Sequence, residues 1–170
     1  KKAGRIVIMG TAGLGDGNVT PVAEFNIWQD AEAAKIVTES GLDNIIFVGW
    51  DACLGDCMLN PKEIKEIRES GKLGKFAIDC NKNLLEMNRE RFGDDYLDMA
   101  DPSAMSAALY PECIEKCEKY YCEVDVSAGP SYGAVLVDVN NVTGKEPNVY
   151  ICSKLYADKY KEYIYRTLKV

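Results

Sequence analysis

Short runs of β-branched and other apolar residues alternate along this chain with longer segments of helical periodicity. Arg5 to Met9 and Ile45 to Trp50 have the continuous apolar pattern of buried strands, and each is followed by a helical segment. Further strands are predicted at 121–126, 133–139 and 149–152, the last two joined as a hairpin around residues 140–148. This order predicts an α/β fold with a mostly parallel sheet flanked by helices.

Several segments carry signals of helix ends. The predicted helix starts are Asp30, the Asn60-Pro61-x-Glu63 capping box, the Asp101-Pro102 pair, and a last start near Asp158. The helix that starts at Asp30 is expected to end at Gly41. A longer helix is predicted after Gly71, with an apolar face made of Leu73, Phe76, Ala77, Cys80, Leu84 and Met87. No repeat, linker or low-complexity segment divides residues 1–170, so we expect one folding unit.

The charge and the apolar pattern exclude two classes of partner. The 170 residues carry 20 basic and 27 acidic side chains, a net charge of −7, which argues against nucleic acid as a partner. The longest apolar run, residues 44–50, is far too short to cross a bilayer, which needs about 20 residues. We therefore expect a soluble protein that binds neither nucleic acid nor membrane.

The seven cysteines are scattered through predicted helices and strands. An odd number in such positions is not typical of a disulfide framework, and buried reduced thiols in a cytoplasmic protein are expected. A zinc site at Cys53 and Cys57, or at Cys113, Cys117 and Cys122, is the alternative. It is disfavoured because the chain has no histidine.

The segment Gly17-Asn18-Val19-Thr20-Pro21-Val22-Ala23-Glu24-Phe25-Asn26 concentrates polar side chains without any core periodicity. Two carboxamides and a carboxylate offer the donors and acceptors that the hydroxyls of a sugar require. The predicted site is therefore Asn18, Glu24 and Asn26, with Met9 lining it from the end of the first strand. The alternative is that these side chains only cap local backbone turns, and that Met9 is a core residue.

This segment resembles the ribose-binding signature Gly-Asn-x-(Thr/Ser)-x-x-Ala-Glu-Phe-Asn of the inosine-uridine-preferring nucleoside hydrolases. The resemblance implies a nucleoside hydrolase-like (Rossmann-like) α/β fold. It also implies hydrolysis of the N-glycosidic bond of a ribonucleoside, to ribose and free base, by a calcium-activated water. Asn18, Glu24 and Asn26 would hold the ribose.

Asp101-Pro102 resembles a second element of these hydrolases, a His-Asp-Pro sequence at a helix start. The resemblance implies that Asp101 is a calcium ligand that also contacts the sugar. The alternative is that Asp101 simply caps the helix. Ala100 occupies the position of the histidine, which in the family helps to protonate the departing base. Residues of the adjoining segment that could approach the base instead are Arg89, Asp94, Asp95 and Tyr96.

The aspartate cluster that follows the first strand in these hydrolases is absent. In the family it supplies the other calcium carboxylates and the general base. The matching segments occur in the order of the family's C-terminal half. We therefore interpret residues 1–170 as the C-terminal portion of such a domain, a partial domain with little activity by itself.

Such a partial domain is expected to associate, either as a homo-oligomer or with the missing N-terminal half. The catalytic general base would then lie outside this chain. The alternative function is a noncatalytic nucleoside- or ribose-binding, or partner-binding, protein of the same fold, which Ala100 favours.

Overall fold

The computed structural model describes residues 4–168, in which strands and α-helices alternate. The strands are β1 (Ile6–Met9), β2 (Ile45–Val48), β3 (Ile114–Tyr120), β4 (Cys122–Val124), β5 (Val135–Val137) and β6 (Val149–Leu155). The α-helices are α1 (Phe25–Gln29), α2 (Ala31–Thr38), α3 (Pro61–Glu69), α4 (Lys72–Asp79), α5 (Lys82–Phe92), α6 (Ala100–Leu109) and α7 (Ala157–Leu168). Short 3-10 helices span Trp50–Cys53, Gly55–Cys57 and Pro111–Cys113.

The central sheet has the strand order β1-β2-β6-β3. β1, β2 and β6 are parallel, and β3 is antiparallel to β6, so the predicted mostly parallel sheet is confirmed. Met9 pairs with Val48, which pairs with Cys152. The carboxyl ends of the first two strands therefore lie side by side, at the edge where parallel sheets place their ligand sites.

Helices cover both faces of this sheet. Ile45 and Phe47 pack with α1 and α2 on one face, whereas Val48 belongs to the cluster on the other face, which includes residues of α6 and α7. Alternate side chains of a strand point to opposite faces, so β2 is buried on both sides. This explains its uninterrupted apolar sequence. None of the helices within residues 4–168 has the length and apolar character of a membrane span.

Two of the predicted helix starts have the expected cap. The Asp30 carboxylate accepts a hydrogen bond from Ala33 N at 2.9 Å at the start of α2. Asn60 and Glu63 form the complete capping box of α3. The end of α2 was predicted too late, because the helix stops at Thr38 and Gly41, with a φ of 67°, follows in the turn.

The single long helix predicted after Gly71 is wrong. The chain forms two helices, α4 and α5, interrupted at Cys80 and Asn81, so the apolar positions cannot share one face. Leu73, Phe76 and Met87 are 52%, 70% and 65% exposed. The buried side of α4 is instead defined by Gly74 and Ile78.

The predicted hairpin between the last two strands is also wrong. β5 pairs with β4 in a separate two-stranded ribbon, and β6 enters the central sheet. Residues 140–148 form a loop whose start is held by the Asp138 carboxylate. It accepts hydrogen bonds from the backbone N–H groups of Val142 and Thr143, at 2.8 and 2.9 Å.

All seven cysteines are free thiols. Cys53, Cys57, Cys113, Cys122 and Cys152 are buried, as expected, but Cys80 is exposed on the surface. Within residues 4–168, no group of three or more histidine, cysteine or acidic side chains is arranged to hold a metal ion.

Candidate active site

A cleft of about 380 Å³ opens at the carboxyl end of β1. All five residues that the sequence analysis singled out line it: Met9, Asn18, Glu24, Asn26 and Asp101. Trp50, Asp98 and Ala100 complete much of the wall. The cleft therefore brings together side chains that lie up to 92 positions apart in the sequence, from Met9 to Asp101.

The backbone of residues 17–23 folds into a tight turn that positions Asn18. Gly17 N donates to Pro21 O at 3.0 Å, and Asn18 N donates to Ala23 O at 3.1 Å. A Cβ at Gly17 would lie 2.2 Å from Thr20 O and 2.4 Å from Ala23 N. Only glycine fits there, so the close backbone approach explains the residue that opens the segment.

Glu24 is the N-cap of α1 and is only 2% exposed. Its carboxylate accepts hydrogen bonds from Asn26 N at 3.0 Å and from Ile27 N at 3.4 Å. Burial raises the pKa of Glu24, and the N–H donors of Asn26 and Ile27 oppose that rise. The side chain is thus a buried carboxyl at the floor of the cleft, held in one orientation by the start of the helix.

Asn18 and Asn26 are fixed in similar ways. The Asn18 side-chain oxygen accepts a hydrogen bond from Phe25 N at 2.8 Å. The Asn26 Nδ2 donates to the Met9 sulfur at 3.0 Å, which ties the helix to the end of β1. Asn18 therefore accepts a hydrogen bond from the backbone, as in the alternative interpretation, and also lines the cleft. The role of these side chains in sugar binding stays a prediction.

Asp101 does not cap α6 as predicted. The helix begins one residue earlier, at Ala100, with Met99 at the N-cap, so Asp101 stands in the first turn. A carboxylate is favoured there by the helix dipole. Asp101 is exposed to the cleft rather than committed to a side-chain cap.

The described residues do not make a calcium site by themselves. Calcium takes about six to eight oxygen ligands, several of them carboxylates. Within residues 4–168, Asp101 is not accompanied by a cluster of acidic side chains arranged for a metal. Any calcium ion beside Asp101 would need oxygen ligands from elsewhere.

A second cleft, of about 670 Å³, continues from the first. The two share the lining residues Asn18, Phe25, Trp50, Leu84 and Asp98. The indole Nε1 of Trp50 donates to Asp98 at 2.8 Å, and Asn88 Nδ2 donates to the other Asp98 oxygen at 2.6 Å. The sequence analysis missed this wall. Trp50 lies two residues after the end of β2, and Met9 is the last residue of β1. This nearness to the carboxyl end of a strand is the signal that could have indicated the wall.

Of the residues considered for contact with a base, Arg89 forms an ion pair with Asp95 at 2.6 Å. Neither of them lines these two clefts, and nor do Asp94 and Tyr96. The side chain of that segment that does reach the second cleft is Arg91.

Asp51 lies beneath the glycine-rich loop of residues 10–17. Its Oδ2 accepts a hydrogen bond from Leu14 N at 2.8 Å. A Cβ at Gly13, whose φ is +75°, would lie 2.0 Å from Oδ1. This oxygen is buried and has no hydrogen-bond partner within the described part of the chain. Burial raises the pKa of Asp51 from 3.8 to about 6.

We expect Asp51→Asn to change how stability depends on pH. The folded state holds the Asp51 proton more tightly than the unfolded state, so this group favours folding most below pH 3.8 and progressively less as pH rises through about 6. At pH 7.5 the variant should be more stable than the wild type by ~2 kcal/mol, and the advantage should vanish near pH 4. Urea unfolding of both proteins at several pH values measures this difference in the free energy of unfolding.

The exposed Asp56 provides the matched control, because Asp56→Asn removes the same charge a few residues away. Its effect on the free energy of unfolding should be small, because the side chain is exposed. If the free energies of unfolding of Asp51→Asn and the wild type differed by the same amount at every pH from 4 to 7.5, the raised pKa of Asp51 would be contradicted.

The sequence model of the inosine-uridine preferring nucleoside hydrolases matches residues 1–162. The putative pyrimidine-specific ribonucleoside hydrolase RihB of Shigella boydii is 34% identical over 151 residues, covering 88% of this chain and 61% of the relative. The pyrimidine-specific ribonucleoside hydrolase RihB of Escherichia coli K12 has the same identity over 88% of this chain and 47% of its own length. The chain therefore spans about half to three fifths of the length of these curated relatives.

Solved structures show the same fold. The plant nucleoside hydrolase PpNRh1 superposes with a TM-score of 0.88 at 26% identity, over 100% of this chain and 55% of that one. A purine-preferring ribonucleoside hydrolase from Gardnerella vaginalis superposes with a TM-score of 0.79 at 27% identity. The match covers 98% of this chain and 53% of that one. With the family's sequence model matched over residues 1–162 and its fold shared, the chain belongs to the inosine-uridine preferring nucleoside hydrolase family.

Proposed function

We propose that this chain forms the ribose-binding side of a ribonucleoside hydrolase, which cleaves the N-glycosidic bond to give ribose and a free base. The observation that supports it is the convergence of Asn18, Glu24, Asn26, Met9 and Asp101 on one cleft. The base is not fixed by similarity, because RihB is named pyrimidine-specific and the Gardnerella vaginalis protein purine-preferring.

The arrangement suits the charge that develops during cleavage of a glycosidic bond. The ribose acquires oxocarbenium character, with positive charge on the ring. The Glu24 carboxyl is immobilised at the floor of the cleft, so in its ionised form it stabilises that charge without reorganising. Asn18 and Asn26 supply amide groups of fixed orientation, which suits the ribose hydroxyls.

Asp101 is proposed as one carboxylate ligand of a calcium ion whose other ligands lie outside the described residues. When bound, such an ion would activate the attacking water. The described residues supply too few of its ligands for any step to be derived from them. The general base is likewise assigned to a region outside this chain.

The free cysteines support a reducing, cytoplasmic location. Within residues 4–168, β1 pairs with a strand on one side only, and this unpaired edge supports association with another polypeptide or a second copy.

The proposal is tested by measuring uridine and inosine binding together with ribose release, with calcium or with a chelator. We expect the 170-residue chain to bind ribonucleosides and to release little or no ribose. Absence of ribonucleoside binding would contradict the proposed function. Chelator-sensitive ribose release would support hydrolysis, but would contradict our assignment of the remaining calcium ligands and the general base to a region outside this chain.

A further inference from the structure

We propose that Cys117 and Cys152 form a redox-active pair, which a small-molecule disulfide such as oxidised glutathione converts into a reversible disulfide bond between β3 and β6. The two cysteines face each other across neighbouring strands of the central sheet. Neither of them lines the two clefts of the candidate active site, so the inference does not depend on the proposed function.

The register of the sheet brings the two cysteines together. Cys117 of β3 is directly opposite Cys152 of β6 in an antiparallel pair. Residues paired in this way point their side chains to the same face, with Cα atoms about 4.5 to 5.5 Å apart. Disulfide bonds span about 4.4 to 6.8 Å between Cα atoms. The folded strands therefore already hold the pair at a suitable separation.

The position of β3 in the sheet lets the two sulfur atoms approach each other. Within the part of the chain that the structure describes, β3 pairs with a strand on one side only, that of β6. A register irregularity lies immediately before Cys117, between it and Lys116. Irregularities of this kind bend an edge strand locally. β3 can therefore shift slightly toward β6 without disturbing the rest of the sheet.

The two thiols differ in the way that thiol–disulfide exchange requires. Cys152 is fully buried, whereas Cys117 is only partly buried. A hydrogen bond with the Cys152 thiol lowers the pKa of Cys117 below its usual value, although burial and the nearby Glu118 oppose this shift. The same contact, together with burial, raises the pKa of Cys152. A dissolved disulfide therefore reacts first with Cys117, which is accessible and more readily a thiolate.

The other cysteines do not have this combination of properties. Burial raises the pKa of the thiols of Cys53, Cys57, Cys113 and Cys122, so they stay protonated and shielded from a dissolved disulfide at neutral pH. The exposed Cys80 lies at the end of α4 and not in a strand, so no sheet register gives it a cross-strand partner. Its reaction stops at a mixed disulfide.

The exchange proceeds in two steps. The Cys117 thiolate attacks one sulfur of the small-molecule disulfide, a bond forms between the two sulfurs, and the first small thiolate leaves with the electron pair of the broken sulfur–sulfur bond. Cys152 then gives up its proton, and its sulfur attacks Cys117 and expels the second small thiolate. The two cysteines are oxidised, the reagent is reduced to two thiols, and the cysteine protons end on those thiols.

The new bond ties together distant parts of the chain. It closes a loop that contains β4 and β5, and such a cross-link restricts the unfolded chain and so favours the folded one. It also fastens the edge strand β3 to β6. In a reducing compartment, disulfides are usually transient and serve catalysis or redox sensing. The pair thus makes the stability of this sheet depend on the ratio of disulfide to thiol around the protein.

The test exposes the folded 170-residue chain to mixtures of reduced and oxidised glutathione, blocks the remaining thiols with iodoacetamide and maps the links by mass spectrometry after trypsin digestion. Trypsin cleaves after lysine, so peptides 117–119 and 146–154 contain one cysteine each. We expect these two peptides to be joined, and Cys80 to be a mixed disulfide with glutathione. Dithiothreitol should reverse both modifications.

Variants separate the roles of the two thiols. Cys152→Ala should stop the exchange at its first step, so that Cys117 is recovered as a mixed disulfide. Cys117→Ala should leave Cys152 unmodified, because Cys152 is buried. Cys122→Ala is the matched control, since Cys122 is also buried but belongs to the cluster on the other face of the sheet. It should leave the link between Cys117 and Cys152 intact.

Thermal unfolding measures the effect of the bond on stability. The oxidised wild type should melt about 5 °C or more above the reduced wild type. Oxidation of Cys117→Ala should give no such rise, because this variant cannot form the link.

Three results would overturn the inference. In the first, Cys80 of the folded chain is glutathionylated while peptides 117–119 and 146–154 stay unlinked. In the second, the link forms only after unfolding in urea, or the linked protein melts below the reduced one, so the folded strands do not hold the pair at bonding distance. In the third, Cys152 is joined to Cys113 instead of Cys117.

Discussion

Gly17→Ala is expected to destabilise the chain by ~3 kcal/mol and to abolish ribonucleoside binding. The new Cβ would lie 2.2 Å from Thr20 O, 2.4 Å from Ala23 N and 2.5 Å from Ala23 O, all of them backbone atoms that have no alternative rotamer. Relief requires opening the turn closed by the hydrogen bonds from Gly17 N and Asn18 N. Opening that turn displaces Asn18 from the cleft. Urea unfolding and a uridine titration measure the two effects.

Gly15→Ala is the matched control for this prediction. A Cβ at Gly15 would lie 3.4 Å from the nearest atom, the Asp51 Cβ, and 3.7 Å from Ala12 O. These are tolerable contacts, so stability and binding should change little. If Gly17→Ala kept the stability and the ribonucleoside affinity of the wild type, the backbone around Gly17 would have room for a Cβ, which contradicts the prediction.

Glu24→Ala is expected to weaken uridine binding by about 100-fold or more and to lower the free energy of unfolding by ~2 kcal/mol. The variant removes the N-cap of α1 and leaves the N–H groups of Asn26 and Ile27 without their acceptor in a buried place. It also removes the carboxyl that we assign to the ribose. Stability and affinity are measured on the same preparations.

Asp30→Ala separates the two roles of Glu24. Asp30 caps α2 through the hydrogen bond from Ala33 N and lies outside the clefts described above. Its loss should cost ~1 kcal/mol of stability and leave uridine affinity unchanged. Glu24→Gln, which keeps the shape but not the charge, should retain more stability than Glu24→Ala and still bind uridine weakly. Equal uridine affinity in Glu24→Ala and Asp30→Ala would assign Glu24 a capping role alone.

The parts of the fold that depend on local sequence were predictable. β1 and β2 are continuous apolar runs because both of their faces are covered, and the caps of α2 and α3 are set by residues within one turn of the helix. The polar segment from Asn18 to Asn26 was recognisable for the same reason. Its side chains are only eight positions apart and follow a strand end, where a parallel sheet places its ligands.

The parts that depend on contacts between distant segments were not predictable. β3 was missed because Ile114–Tyr120 is a largely polar edge strand whose pairing with β6 defines it. β5 was given the wrong partner, since pairing depends on the whole sheet rather than on the intervening loop. The break between α4 and α5 was not predicted because no proline lies between these helices in the sequence.

The same limit applies to the site. The hydrogen bond between Trp50 and Asp98 joins residues 48 positions apart, and no local pattern indicates it. Asp101 was placed with Asn18 and Asn26 by resemblance to the nucleoside hydrolases, and the fold brings them to one cleft.

The most direct test of the ribose-binding assignment is a comparison of uridine with 2′-deoxyuridine as ligands of this chain. A site whose fixed Asn18, Glu24 and Asn26 groups hydrogen-bond the ribose hydroxyls should bind uridine about tenfold or more tightly, because the deoxy analogue leaves a buried polar group unpaired. Asn26→Ala should reduce that ratio. Equal affinities for the two nucleosides, with binding unaffected by Asn26→Ala, would contradict the account.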